Sequence, residues 1–148
     1  MGRLRAGPEA ELVADYLSRT GKIGRSVGMG PASVQEVEVK KGGKDAEAAL
    51  LVKAVGSARP LVVLDERGTI LTSPDFAKKL GAWRDQGATE AVFVIGGADG
   101  VAPELRDRAD LTLSLGKMVW PHMLARVMLS EQIYRAVGIL AGTPYHRE

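Results

Sequence analysis

The sequence predicts an α/β protein with helices flanking a mainly parallel sheet. Three short, almost wholly apolar runs carry this: PLVVLDE (60–66), AVFVI (91–95) and LTLSL (111–115), each with the composition of a strand buried on both faces. Segments of helical periodicity precede, separate and follow them, and strands alternating with helices mark a layered fold. No internal repeat breaks the pattern, and 148 residues suit one domain, 1–148, better than two.

Taken in order, residues 8–19 (PEAELVADYLSR) open on Pro8 and two early glutamates and place Leu12, Tyr16 and Arg19 at helical spacing, which predicts a first helix. The glycine-rich residues 21–33 read as a mobile loop, and the alternating VQEVEVK (34–40) as a strand. An amphipathic helix is expected over 44–55. Another is expected over 73–87, with Ser73 at the N-cap and Pro74 at the first helical position. GGADG (96–100) turns the chain after the second apolar run. A last helix over 121–141 starts at Pro121 and stops at Gly142. Its apolar residues, among them Leu124, Leu129, Ile133 and Val137, leave only a narrow polar strip, so it needs a second surface to cover it: a large core or a homodimer interface.

Composition excludes several chemistries. With no cysteine there are no disulfides, zinc ribbons, thiol nucleophiles or iron–sulfur clusters, and two histidines leave little for a transition-metal site, so no metal is expected. No stretch nears the roughly eighteen apolar residues of a membrane span, and the first ten residues carry no signal-type apolar core; a cytoplasmic protein without membrane contact is expected. A net charge of +2 and a pI of 9.0 permit nucleic-acid contact without the dense basic surface that binds RNA by charge alone.

The segments VVLD, VIGG and LSLG place Leu64, Gly96, Gly97 and residues 115–121 at the carboxyl ends of the three strands, the edge where open α/β sheets bind ligands. GGADG lacks the dinucleotide fingerprint and the lysine and hydroxyl residue of a phosphate-binding loop. It offers instead close approach to backbone, with Gly97 expected at a left-handed turn, and fits a ligand without phosphates. Trp120 reads as a slot wall or as core. His122, at a helix start, reads as structural. The tail AGTPYHRE gathers Tyr145, His146, Arg147 and Glu148, proton-exchanging and anion-holding groups at a place where chains usually fray.

FVIGGADG, LSLGKMVWPHMLARVMLSEQIYRA and the closing PYHRE together resemble the RlmH family, SPOUT-class methyltransferases that modify N3 of a pseudouridine in a hairpin loop of 23S ribosomal RNA. The similarity spans residues 2–148. It implies a C-terminal trefoil knot, an exception to the rule that chains are unknotted, and a homodimer with the last helix in its interface. It further implies S-adenosylmethionine bound by Leu64, Gly96, Gly97, Leu115, Gly116, Lys117, Met118, Val119, Trp120 and Pro121, and action on the assembled ribosome. Tyr145, His146 and Arg147 become the candidate catalytic residues, with the tail lying across a cofactor pocket, its own or the partner subunit's, and His146 able to accept a proton. The resemblance also implies an opening apolar strand that would end where Met1 stands, so a start site assigned downstream or a trimmed chain is expected.

Rival functions leave different marks. A nucleotide-dependent oxidoreductase would need a glycine fingerprint and a ribose-binding acid after the first strand, and the sequence has neither. A SPOUT methyltransferase with another RNA target, and a cofactor-free RNA-binding module on the same fold, stay open.

Overall fold

The computed structural model describes residues 6–37, 41–97 and 100–147. Residues 1–5, the end of the expected strand at 38–40, the middle of the glycine turn at 98–99 and Glu148 lie outside the described residues. The described residues form two compact units, one from those within 35–70 and 89–122, the other from those within 6–34, 71–88 and 123–147.

The first unit is the sheet. β1 (Leu61–Ile70) lies between β2 (Val92–Val94) and β3 (Leu111–Ser114), in the order β2-β1-β3, and both pairings are parallel. This is the mainly parallel sheet that the three apolar runs predict. Leu61, Val62 and Val63 are all buried, so the middle strand is covered on both faces. Helix α2 (Gly43–Val55) contributes Leu51 and Val55, and the short α4 (Pro103–Arg108) contributes Leu105, to one cluster with Leu61, Val63, Val94 and Val101. At the amino ends of the strands, Asp110 accepts hydrogen bonds from the Leu61 amide at 2.7 Å and from Arg59 at 2.6 Å, while Asp110 N donates to Leu61 O at 2.8 Å. Those bonds hold the Asp110 carboxyl below its ordinary range, the Arg59 contact most of all.

The second unit is helical. α1 (Pro8–Gly24), a 3₁₀ turn (Arg25–Val27), α3 (Ser73–Asp85) and the 20-residue α5 (His122–Ala141) compose it, except that His122 belongs to the first unit. α5 meets α1 where the rings of Tyr134 and Tyr16 stand 5.9 Å apart. It meets α3 where Leu140 covers Gly81 and where Ser73 Oγ donates to Gln132 Oε1 at 2.7 Å.

Several expectations are corrected. Residues 34–37 are irregular rather than a strand; no described strand lies alongside to take their ladder hydrogen bonds, and alternation alone does not hold a strand. The first helix runs through GKIG to Gly24, because a glycine in a helix costs only about 1 kcal/mol and Thr20 Oγ1 bonds back to Tyr16 O within it at 2.8 Å. The chain turns at Gly28, with φ 70°, and Arg84 pins the preceding Val27 carbonyl at 2.9 Å. Thr72, not Ser73, caps α3, accepting from Asp75 N at 3.2 Å. α4 is too short for periodicity to reveal. Leu129, one of the apolar positions expected to face a partner, is buried within the single chain, whereas Leu124 is 41% exposed.

Candidate functional site

Parallel pairing brings the ends of β2 and β3 to one edge with Leu64, which lies within β1 and not at its carboxyl end as expected, because β1 continues to Ile70. In register, Val63 faces Val94 and Leu64 faces Leu113, so Leu64 is the central member, with Gly96 two residues beyond the end of β2 and Leu115 one beyond the end of β3. The backbone expected to hold a ligand converges here, all within the first unit.

Each of the three segments is shaped by one close contact. After Val94 the chain turns sharply: Gly100 N donates to Gly97 O at 2.9 Å, and the two glycines form an isolated antiparallel bridge. Gly96 is buried against this turn, where a Cβ would meet the carbonyl carbon and oxygen of Gly100 at 2.5 Å. No side chain fits, because what it would strike is backbone. Gly100, with φ 79°, supplies the left-handed residue; Gly97 does not have a positive φ, contrary to expectation. What crowds Gly97 is Glu47 of α2, whose Oε1 would stand 2.8 Å from an added Cβ.

β1 does not run straight through. Leu64 and Thr69 both pair with Leu113, so Asp65, Glu66, Arg67 and Gly68 form an excursion from the ladder. Asp65 builds it. Its Oδ1 accepts from Arg67 N at 2.9 Å and Arg67 Nε at 3.0 Å, its Oδ2 from Arg67 Nη2 at 3.0 Å, and Arg106 Nη1 stands 3.6 Å away. The Arg67 bonds outweigh burial and hold the Asp65 carboxyl down at about 2. Gly68 closes the excursion against β3, where a Cβ would meet Thr112 O at 2.6 Å.

Ser114, buried at the end of β3, ties two of these segments together. Its Oγ accepts from Gly116 N at 3.1 Å and lies 2.9 Å from Gly116 O and 3.1 Å from Glu66 O, so its one proton serves either carbonyl. Gly116 turns the chain at φ 120°. Beyond it Lys117, Met118, Val119, Trp120 and Pro121 are all exposed, Met118 at 73% and Val119 at 80%. Three successive large apolar side chains standing in water just beyond β3 form an uncovered rim, and Trp120 is not core.

Ser114, Asp65 and Glu47 were not legible as site residues from sequence. Ser114 and Asp65 act by bonding backbone, and Glu47 lies close against Gly97, none of which leaves a spacing signal. The two glycines and the 115–121 run were legible because a turn and a strand end mark them.

The tail residues lie in the second unit, gathered on α5. Glu131 Oε1 accepts from Tyr145 Oη at 3.0 Å and from Arg135 Nε at 2.9 Å and Nη2 at 2.5 Å; Arg135 Nη1 meets His146 Nδ1 at 3.1 Å. The Arg135 guanidinium lies over the Tyr145 ring at 4.7 Å, and that ring stands edge-on to Tyr134 at 4.6 Å. Burial first, then the Glu131 bond, pushes the Tyr145 hydroxyl well above its ordinary value, so it stays protonated. Arg147 is exposed.

Among the described residues no helix is long and apolar enough to cross a membrane, and no group of three or more His, Asp or Glu stands placed to hold a metal ion.

Residues 1–146 match the family model described as "Predicted SPOUT methyltransferase". The ribosomal RNA large subunit methyltransferase H of Paracoccus denitrificans is 62% identical over all of this chain and 96% of its own length. The proteins of the same name from Roseobacter denitrificans and Cereibacter sphaeroides are 61% and 60% identical, each over 99% of this chain and 95% of their own. A match over nearly the whole chain, together with the strand-end glycine turn, shows that this chain belongs to the SPOUT methyltransferase family, in the group of ribosomal RNA large subunit methyltransferase H.

Proposed function

We propose that the protein methylates N3 of a pseudouridine in a hairpin loop of 23S ribosomal RNA, using S-adenosylmethionine and acting as a homodimer on the assembled ribosome. The names of the relatives support methyl transfer to large-subunit ribosomal RNA. The observation that carries the cofactor is the strand-end edge: a glycine turn with no room for a side chain at Gly96, beside an exposed apolar rim of Met118, Val119 and Trp120. Such an edge suits a ligand with an apolar, planar part and no phosphates, held by main-chain groups. The family's trefoil knot belongs to the same reading.

In this reading Leu64, Gly96, Gly97 and residues 115–121 hold the donor. S-adenosylmethionine, when bound, supplies a methyl group on a sulfonium, a good electrophile. The protein's part is then orientation, which supplies much of the rate of a two-substrate transfer. Ser114 and Asp65 keep the backbone around the donor in place. Tyr145, His146 and Arg147 serve the RNA: a ring for stacking, an imidazole for a base edge and a guanidinium for phosphate. A hairpin loop leaves its bases free to be splayed out and read on the Watson–Crick edge. A ribosomal substrate fits the modest net charge of +2, because folded RNA and ribosomal protein supply much of the recognition.

Calorimetry with S-adenosylmethionine tests the cofactor assignment. Binding by the wild-type protein and its loss in Gly96→Ala are expected. A folded wild-type protein that gives no binding would overturn the enzyme reading in favour of a cofactor-free RNA-binding module.

A further inference from the structure

We propose that Glu131 and Arg135 form a positioning clamp for the C-terminal tail, and that the clamp fixes His146 as a hydrogen-bond donor through Nε2 rather than as a proton acceptor. The proposal rests on the reading that the tail serves the RNA.

The geometry starts on α5. Glu131 and Arg135 stand four residues apart with the acid toward the N-terminus, the favoured order for such a pair on a helix. The contact is two-pronged, Nε and Nη2 both reaching Oε1, and both side chains are largely buried, at 16% and 24% exposed. An ion pair so placed is stiffer than a surface one. Both partners also reach the tail. Glu131 Oε1 accepts a hydrogen bond from the Tyr145 hydroxyl, and Arg135 turns Nη1 to His146 Nδ1. The Tyr145 ring is held from two further sides, by the guanidinium face and the edge of Tyr134, and Tyr134 is itself set against Tyr16 and Arg19 of α1. The tail is thus anchored to two helices of its own unit through a continuous set of contacts.

The tautomer follows from the donor inventory. A guanidinium has five N–H donors and no acceptor, so in its contact with Arg135 the His146 Nδ1 must accept. A nitrogen that accepts carries no proton, and the ring's proton is on Nε2. Nε2 therefore has no lone pair to remove the N3 proton of a base. It has an N–H, which suits an oxygen acceptor such as a base carbonyl or a phosphate. With exposed Arg147 beside it, the tail end is a set of donors. Tyr145 cannot replace His146 as the base, because its hydroxyl is committed to Glu131 and stays protonated.

Long-range proton–nitrogen NMR on the ¹⁵N-histidine-labelled full chain, with His146→Ala to distinguish its signals from those of His122, reads the tautomer directly. An unprotonated Nδ1 and protonated Nε2 are expected in the wild type, relaxing toward a mixture in Arg135→Lys, since a lysine cannot serve Glu131 and Nδ1 with one fork. Single-turnover transfer to unmethylated ribosomes is expected to fall about 10- to 100-fold in both Arg135→Lys and Glu131→Gln, with the dissociation constant for S-adenosylmethionine unchanged. A proton on Nδ1 in the wild type, or full-rate transfer by both variants, overturns the clamp. Deletion of residues 145–148 separates the two claims: a slow deletion variant beside full-rate clamp variants sinks the clamp alone, whereas full-rate transfer by the deletion variant sinks the tail's role and the clamp with it.

Discussion

The Glu47 carboxylate of α2 lies against the backbone of Gly97, so close that a Cβ at that glycine would meet Oε1 at 2.8 Å. Gly96, one residue earlier, faces the backbone of Gly100 instead. The two neighbours are therefore intolerant for different reasons. A carboxylate at the end of a flexible side chain can move; a peptide group in a tight turn cannot. Gly97→Ala is expected to weaken S-adenosylmethionine binding modestly and to recover when combined with Glu47→Ala. Gly96→Ala is expected to lose binding and about 1–3 kcal/mol of stability, and Glu47→Ala should not restore it. Calorimetry and urea unfolding on the four proteins check this; equal rescue at both positions would contradict it.

Ser114→Ala should lower stability by about 1–2 kcal/mol, because the change removes a buried hydroxyl and strands the Gly116 amide it serves. Since the hydroxyl also reaches Glu66 O, the loss should loosen two of the segments proposed to hold the donor at once, and S-adenosylmethionine affinity should fall with stability. Unfolding and calorimetry on the same sample test the link; a stability loss with unchanged affinity would make Ser114 a core residue only.

Much of this was legible in the sequence. The three apolar runs became the three strands because a parallel middle strand must be apolar on both faces, and the same runs fixed which loops meet at the sheet edge. Residues 34–37 misled because alternation describes a strand only where a neighbour pairs with it. The first apolar run reads as a strand that stops at Glu66, so the excursion at residues 65–68 and the return of β1 at Thr69 and Ile70 were missed, since their cause is a carboxylate bonded to Arg67 two residues on and not a turn residue. The tail drew notice for its composition. Its anchoring on Glu131 and Arg135 was not visible, because a salt bridge on a long helix looks the same from sequence whether or not something rests on it.

The Asp65 carboxyl gives a signed pH dependence. Its folded-state value lies at about 2 against an ordinary 3.8, so its contribution is present above the unfolded value and lost as pH falls through the folded one. Because the Arg67 side chain is 70% exposed, solvent screening keeps the contribution at neutral pH below the roughly 2 kcal/mol that the shift alone would give. Urea midpoints of the wild type and Asp65→Asn should differ at pH 6 and converge between about pH 4 and pH 2. A gap unchanged across that window would show that the excursion does not depend on the ionised carboxylate.

If α5 forms a homodimer interface, exposed Leu124 is the position that reports it. Leu124→Glu should give a folded monomer by light scattering, because a charge facing an apolar partner surface is left unpaired. Leu129→Glu should instead unfold the protomer, since Leu129 is already buried within it. A Leu124→Glu protein that keeps the mass of a wild-type dimer would place the interface elsewhere.

The most direct test of the methyltransferase assignment is mass mapping of ribosomal and transfer RNA from a strain lacking this protein, with and without the gene restored. The account predicts the loss of a single methyl group from one pseudouridine of 23S ribosomal RNA, carried at N3, and its return with the wild-type protein but not with Gly96→Ala. An unchanged 23S ribosomal RNA, or a methyl group lost from transfer RNA instead, would contradict it.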